Sequence, residues 1–210
     1  MNTHTWPHTP TDTDREPNHA QAAGTALWLF IGVATTFFSL FVVAYGMRMD
    51  APDWSPIALP WQLWLSTGLL VAGSVLMQRA DAAAAQRRPA TLRPMLLGGG
   101  AAAAAFVGSQ LWGWQVLIDA RVLLAGNPAA SFFYVLTALH GLHVLGGLVA
   151  WSIAAQALST PEPELPTAAW RVQLCARYWH FLLIVWVVLF GALSLLTPEI
   201  VRFICGRGGT

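Results

Sequence analysis

No charged side chain lies between Arg121 and Glu162, and residues 130–156 of that stretch read ASFFYVLTALHGLHVLGGLVAWSIAAQ. A helix of about 20 apolar residues crosses the hydrocarbon of a bilayer, because each residue advances about 1.5 Å across roughly 30 Å. This segment is long enough to do so. It predicts a transmembrane helix, and the remaining sequence repeats the pattern.

Four further windows of spanning length also lack Asp, Glu, Lys and Arg: Glu16 to Arg48, Asp53 to Arg79, Arg93 to Asp119 and Arg177 to Glu199. Only 10% of the 210 residues are charged, against about 25% in a soluble domain. A buried helix of a soluble protein could explain one such window, but five in a short chain favour a membrane. We predict an all-α integral membrane bundle of five transmembrane helices, at 22–47, 56–79, 94–118, 130–156 and 174–198.

The predicted transmembrane domain, 22–198, lies between two polar segments. Residues 1–21 contain three prolines and no apolar run, which predicts a disordered N-terminal tail and no cleavable signal peptide. Residues 199–210 are predicted to form a short C-terminal tail.

Arginine is most concentrated between the second and third predicted helices, at Arg79, Arg87, Arg88 and Arg93. The positive-inside rule places this link in the cytoplasm. Alternation then predicts a cytoplasmic N-terminus and an external C-terminus.

Basic and acidic residues, 11 and 10 in number, nearly balance, so the sequence lacks the positive charge that binds nucleic acid.

All ten carboxylates fall in predicted tails, loops or helix ends, which argues against a proton-coupled transporter. Three histidines lie inside helices: His140 and His143 on one face of the fourth, and His180 in the fifth. One interpretation is a two-helix imidazole site for a metal or haem. The alternative is that these rings hydrogen-bond neighbouring helices or lipid head groups. No carboxylate or thiol at matching depth completes a metal shell.

Small and polar residues in the predicted spans favour helix packing. The run from Gly98 to Ala105 gives the third helix a smooth face that allows close approach of a neighbour. Hydroxyl and amide side chains such as those of Ser66 and Gln110 are expected to form hydrogen bonds across helix contacts.

Cys175 and Cys205 lie at opposite ends of the fifth helix, so both are predicted to be free thiols.

Three stretches resemble subunit III of the haem-copper respiratory oxidases. Residues 28–31, Trp-Leu-Phe-Ile, with a Phe pair at 37–38, are similar to that family's first shared helix. Residues 131–147, SFFYVLTALHGLHVLGG, are very close to its histidine-containing helix. Residues 178–181, Tyr-Trp-His-Phe, followed by Trp186, resemble its last helix. Five-helix members are common among bacteria, which agrees with the predicted helix count.

The resemblance implies a noncatalytic subunit of the bacterial inner membrane. It implies that the chain binds the large subunit I, holds phospholipid, and carries neither haem nor copper, both of which reside in partner subunits. The residues to which it assigns lipid or subunit packing are His140, His143, Gly146, Gly147, Trp179 and His180.

The sequence departs from the family at intramembrane carboxylates. The family's first-helix glutamate falls at about Ala34, and the aspartate three residues after the last histidine is Leu183. A further family glutamate is absent near Asp119. These losses leave two other functions open: an accessory chain of a nitric oxide reductase or another respiratory complex, and a stand-alone transporter.

Overall fold

The computed structural model describes residues 12–123, 127–158 and 165–204, with side chains described at 21–123, 127–158 and 169–202. Every regular element in these ranges is a helix. The helices are α1 Asp12–Arg48, α2 Gln62–Ala85, α3 Pro89–Asp119, α4 Pro128–Ala157, α5 Leu165–Leu195 and α6 Pro198–Ile204. Cys205 and the first eleven residues lie outside the described part of the chain.

Four of the described helices are long and apolar enough to cross a membrane: Gln21–Arg48 in α1, Pro89–Asp119, Pro128–Ala157 and Ala169–Leu195 in α5. α2 has 24 residues, which gives about 36 Å of helix. It is not among these four, because its two glutamines, Arg79 and Asp81 lower its mean hydropathy. The predicted all-α membrane bundle is confirmed, with α2 packed inside it as the fifth long helix.

Helix bounds differ most from the prediction at the chain ends and at α2. α1 begins at Asp12 and α5 at Leu165, about ten residues before the predicted starts, because an apolar window delimits the buried part of a helix and not the helix itself. α2 begins at Gln62 instead of residue 56. Pro56 and Pro60 account for this shift, since proline lacks an N–H and disfavours helical backbone at the residue before it.

The long helices form a closed ring with one helix outside it. α2 packs most extensively on α3, α3 contacts α4, α4 contacts α5, and α5 returns to α2. α1 packs on the outside of this ring against α5 and, less extensively, α4. In the apolar 18-residue window of each span, only 11% of the α1 residues are buried, against 56% of the α5 residues. α5 is therefore the central helix of the fold, and α1 faces lipid or a partner over most of its surface.

The glycine run of α3 permits the closest helix contacts. A Cβ atom built on Gly99 would lie 2.8 Å from Cε of Met77 on α2, and one on Gly100 would overlap the indole of Trp151 on α4. The Trp151 N–H donates to the carbonyl oxygen of Leu96, at 2.7 Å. The predicted smooth packing face is confirmed, and its neighbours belong to this chain.

Asn127 joins the loop before α2 to the loop before α4. Its side-chain oxygen accepts from the N–H of Ala129 at 3.0 Å, which caps α4, and its amide donates to the carbonyl oxygen of Ser55 at 2.6 Å. The sequence Asn-Pro is a recognisable helix start, since Asn favours the N-cap and Pro the first helical position. One side chain thus fixes the α4 terminus and the α1–α2 link together.

Candidate functional site on helices 4 and 5

His140 lies at the centre of the bundle with no solvent exposure. Three aromatic rings enclose it: Trp186 at 5.2 Å between centroids, Phe106 at 5.6 Å and Phe38 at 6.4 Å. Neither ring nitrogen has a hydrogen-bond partner among the described residues. His140 therefore points into the helix bundle and cannot contact a partner subunit directly.

His143 lies one turn further along α4, half-buried beside α1. Its Nδ1 is 2.7 Å from the carbonyl oxygen of Leu139, and its ring lies 5.1 Å from that of Phe38 and 5.7 Å from that of Phe30. Because a carbonyl oxygen only accepts, the proton of the neutral ring sits on Nδ1. Nε2 is then the acceptor of the neutral ring.

His180 repeats this arrangement on α5. Its Nδ1 is 2.7 Å from the carbonyl oxygen of Ala176, so its Nε2 is likewise the acceptor of the neutral ring. Within the described residues, no group of three or more His, Cys, Asp or Glu side chains could hold a metal ion. The three histidines do not converge, and the arrangement gives no support to the two-helix imidazole site.

The two adjacent glycines of α4 have opposite surroundings. A Cβ on Gly147 would lie 2.9 Å from Cε1 of Tyr178 and 3.1 Å from Cζ3 of Trp179, whereas one on Gly146 would meet no atom within 4 Å. Trp179 has no exposed surface. The Tyr178 hydroxyl donates to the carbonyl oxygen of His143 at 2.9 Å. Gly147 thus belongs to the contact between α4 and α5, and Gly146 to the outer surface.

Gly146 lines an open groove that we call the α1–α4–α5 groove, with a volume of about 550 Å³. Leu27 and Phe30 of α1 form one wall, Gly146 and Ile153 of α4 the floor, and Trp170 and Arg171 of α5 the rim. The lining is almost wholly apolar apart from Arg171, whose guanidinium lies 5.6 Å from the centre of the Trp170 ring. The groove has the shape and polarity to hold a hydrocarbon chain, with one cation at its end.

The positions at which the sequence departs from the resembling family are apolar in the structure as well. Ala34 is buried in the core, 4% exposed, and Leu183 packs against the core from its edge. Because alanine and leucine do not titrate, neither position carries an ionisable group. No step that depends on a carboxylate at either position can be assigned to this chain.

The sequence did not predict the aromatic enclosure of His140 or the hydrogen bond from the Trp186 N–H to Oγ1 of Thr67, at 2.9 Å. Both join residues more than 30 positions apart. Trp179 and Trp186 are seven residues apart, which places both indoles on one face of α5. This spacing is the feature of the sequence that indicates an aromatic cluster there. Cys175 is a buried free thiol, as predicted.

The fold and the site define a polytopic helical membrane protein in which the described residues form no metal centre. No protein-family model matches the chain. It is 32% identical over 178 residues to a probable cytochrome c oxidase subunit 3 of Nocardia farcinica, a match that covers 82% of this chain and 86% of the relative.

Similar relatives occur in other bacterial groups. Cytochrome c oxidase subunit 3 of Synechocystis is 29% identical, over 80% of this chain and 72% of the relative. The Alkalihalophilus pseudofirmus protein of the same name is 26% identical, over 80% and 84%. The chain belongs to the cytochrome c oxidase subunit 3 family.

Proposed function

We propose that this chain is the noncatalytic subunit III of a proton-pumping haem-copper terminal oxidase, which it stabilises by binding the haem- and copper-bearing subunit I. The observation that supports this most is family membership over about four-fifths of the chain. Haem and copper would then reside in partner subunits. The complex would lie in the bacterial inner membrane, with the N-terminus of this chain in the cytoplasm.

A phospholipid is the proposed ligand of the α1–α4–α5 groove. An acyl chain would lie between the wall at Leu27 and the floor at Ile153, and Arg171 would pair with the phosphate at the rim. Trp170 suits the same depth, because indole rings favour the interface between hydrocarbon and head groups. The cytoplasmic orientation proposed above places this rim in the inner leaflet.

His143 and His180 are proposed to contact lipid or subunit I through Nε2. In the neutral state each Nε2 accepts a hydrogen bond, which suits the ammonium of a zwitterionic lipid or a side-chain N–H of a neighbouring helix. Both rings are half-buried and held by their own helix backbone. Each can therefore make one directional contact at the bundle surface.

The test of the main proposal is purification of the tagged chain from native membranes in a mild detergent. Equimolar recovery of a subunit I with a haem spectrum and oxygen consumption is the expected result. Recovery with a nitric oxide reductase would assign the chain to that complex. A colourless chain without partners, after milder detergents had been tried, would refute the accessory-subunit proposal.

The test of the lipid proposal compares two arginines of α5 by native mass spectrometry of the purified complex. Replacing Arg171 with Gln should reduce the lipid retained by this subunit, because the phosphate loses its cation. Arg177→Gln is the matched control, since Arg177 is exposed and lies outside the groove. Equal lipid retention in the two variants would contradict the assignment of the head group to Arg171.

A further inference from the structure

Several polar atoms in the bundle interior lack a protein partner. Among the described residues they are the side-chain oxygens of Gln62 and Gln110, both ring nitrogens of His140 and the indole nitrogen of Trp179. Gln110 is 7% exposed, Gln62 3%, and His140 and Trp179 not at all. Buried polar groups in proteins are nearly always hydrogen-bonded, and in a bilayer no bulk water is present to compensate.

Two of these residues, Gln110 and His140, belong to a connected set of side chains that we call the mid-bundle layer: Ser66, Thr67, Gln110, His140 and Trp186. The Gln110 amide donates to the Ser66 hydroxyl at 2.7 Å. The Trp186 N–H donates to the Thr67 hydroxyl at 2.9 Å, and the Trp186 ring lies beside His140, 5.2 Å between centroids. Contacts therefore run through α3, α2, α5 and α4 in sequence, so the layer crosses the whole helix ring.

The side chains of the layer cannot satisfy one another. Each hydroxyl has a single hydrogen, and those of Ser66 and Thr67 are directed to the carbonyl oxygen of Leu63, at 3.0 and 2.7 Å. Neither hydroxyl can therefore also donate to the Gln110 oxygen. The Trp186 N–H is committed to Thr67. The layer thus has an acceptor at Gln110 and both a donor and an acceptor at His140 without protein partners.

Gln62 adds another unpartnered oxygen, at the first turn of α2. It is the first residue of α2, one turn before Ser66. Its Cβ lies 3.7 Å from the Cβ position of Gly113, one turn after Gln110 on α3. The two glutamines therefore occupy neighbouring turns of the same helix contact. Both side chains carry an oxygen without a protein partner, so the unpartnered groups continue from the layer to the first turn of α2.

We infer that the mid-bundle layer binds internal water, with His140 and the side-chain oxygens of Gln110 and Gln62 as its protein ligands. A water molecule donates twice and accepts twice, so it can serve acceptors and donors that protein groups leave unpaired. The site would rigidify the contact among four helices. It goes beyond the accessory role proposed above, because it depends only on this chain.

The inference is tested by radiolytic hydroxyl labelling of the purified complex, read by mass spectrometry of the peptides of this chain. Radicals formed from a bound water oxidise the side chains that touch it. Trp186, Phe106 and Met77 all have no exposed surface. Trp186 belongs to the layer and Phe106 contacts both Trp186 and His140, whereas Met77 lies outside the layer. We expect oxidation of Trp186 and Phe106 to exceed that of Met77, although methionine is the more easily oxidised side chain.

Two variants and a control complete the test. Gln110→Leu and His140→Phe should each abolish the excess oxidation of Trp186. Ser109→Ala should preserve it, because the Ser109 hydroxyl is already satisfied by its own helix, at 2.8 Å from the carbonyl oxygen of Phe106. Oxidation of Trp186 and Phe106 no greater than that of Met77 in the unmodified chain would overturn the inference. That comparison uses the unmodified chain alone. It therefore tests the inference even if a substitution prevents assembly.

Discussion

Replacing Gly147 with alanine adds one methyl group at the contact between α4 and α5. Its carbon would lie 2.9 Å from the Tyr178 ring and 3.1 Å from the Trp179 ring, closer than side-chain carbons normally approach. Tyr178 is held by its hydrogen bond to the His143 carbonyl oxygen, and Trp179 is fully enclosed. Neither ring can yield without moving a helix.

Gly146→Ala supplies the matched comparison, because the same methyl group at that position meets no atom within 4 Å. Both substitutions gain roughly 0.5–1 kcal/mol from the preference of a helix for alanine over glycine. Only Gly147→Ala incurs an overpacking cost, about 1–3 kcal/mol. The helix preference cancels between the two variants, so their difference isolates the packing term.

The assay is the temperature at which half of this chain has unfolded in the purified complex, detected by protease cleavage of the tagged chain after heating. A cost of that size lowers a denaturation midpoint by roughly 2–12 °C in a chain of this length. The midpoint for Gly147→Ala should therefore fall below that for Gly146→Ala by this amount. Identical midpoints would refute the close contact of Gly147 with the two rings.

Three further substitutions have defined outcomes. Asn127→Ala should cost about 0.5–2 kcal/mol through the lost cap. It should speed protease cleavage in the two loops that Asn127 joins more than Asn127→Asp does, because aspartate keeps the capping oxygen. Equal cleavage rates would contradict this. Trp186→Phe removes the N–H that donates to Thr67. A double-mutant cycle with Thr67→Val should yield a coupling free energy of roughly 0.6 kcal/mol. If the effects of the two substitutions on the free energy of unfolding were strictly additive, the bond would be excluded. His180→Leu should weaken retention of the chain or its lipid but leave the haem spectrum unchanged, and an altered spectrum would instead indicate ligation.

The fold was predictable because spanning helices are recorded in the sequence as charge-free windows of the required length. The window from Arg121 to Glu162 yielded α4 almost to the residue, since Asn127 and Pro128 begin that helix sharply. The start of α2 was missed, because charge alone does not mark the prolines that delay it. The extension of α1 to Asp12 was missed because helical hydrogen bonds continue beyond the apolar segment.

The candidate site was predictable only in part. Motif resemblance selected His140, His143 and His180, but it could not separate the enclosed ring from the two that reach the surface. That distinction depends on how α1 and α5 are placed around α4, which no local pattern records. In the same way, Gly146 and Gly147 are equivalent in the sequence, and only the direction of α4 relative to Tyr178 separates them.

The sparse packing of α1 has a consequence for biogenesis. α1 rests mainly on α5, and about 150 residues separate the end of α1 from the end of α5, which takes roughly 7–30 s to synthesise. During that interval α1 must persist in the bilayer without its main contact, which its charge-free stretch from Gln21 to Met47 permits. Insertion of α1 and its docking on α5 are therefore separate events in time. A chaperone or an assembly factor that engages the nascent subunit would find the α5-facing surface of α1 unoccupied until α5 arrives.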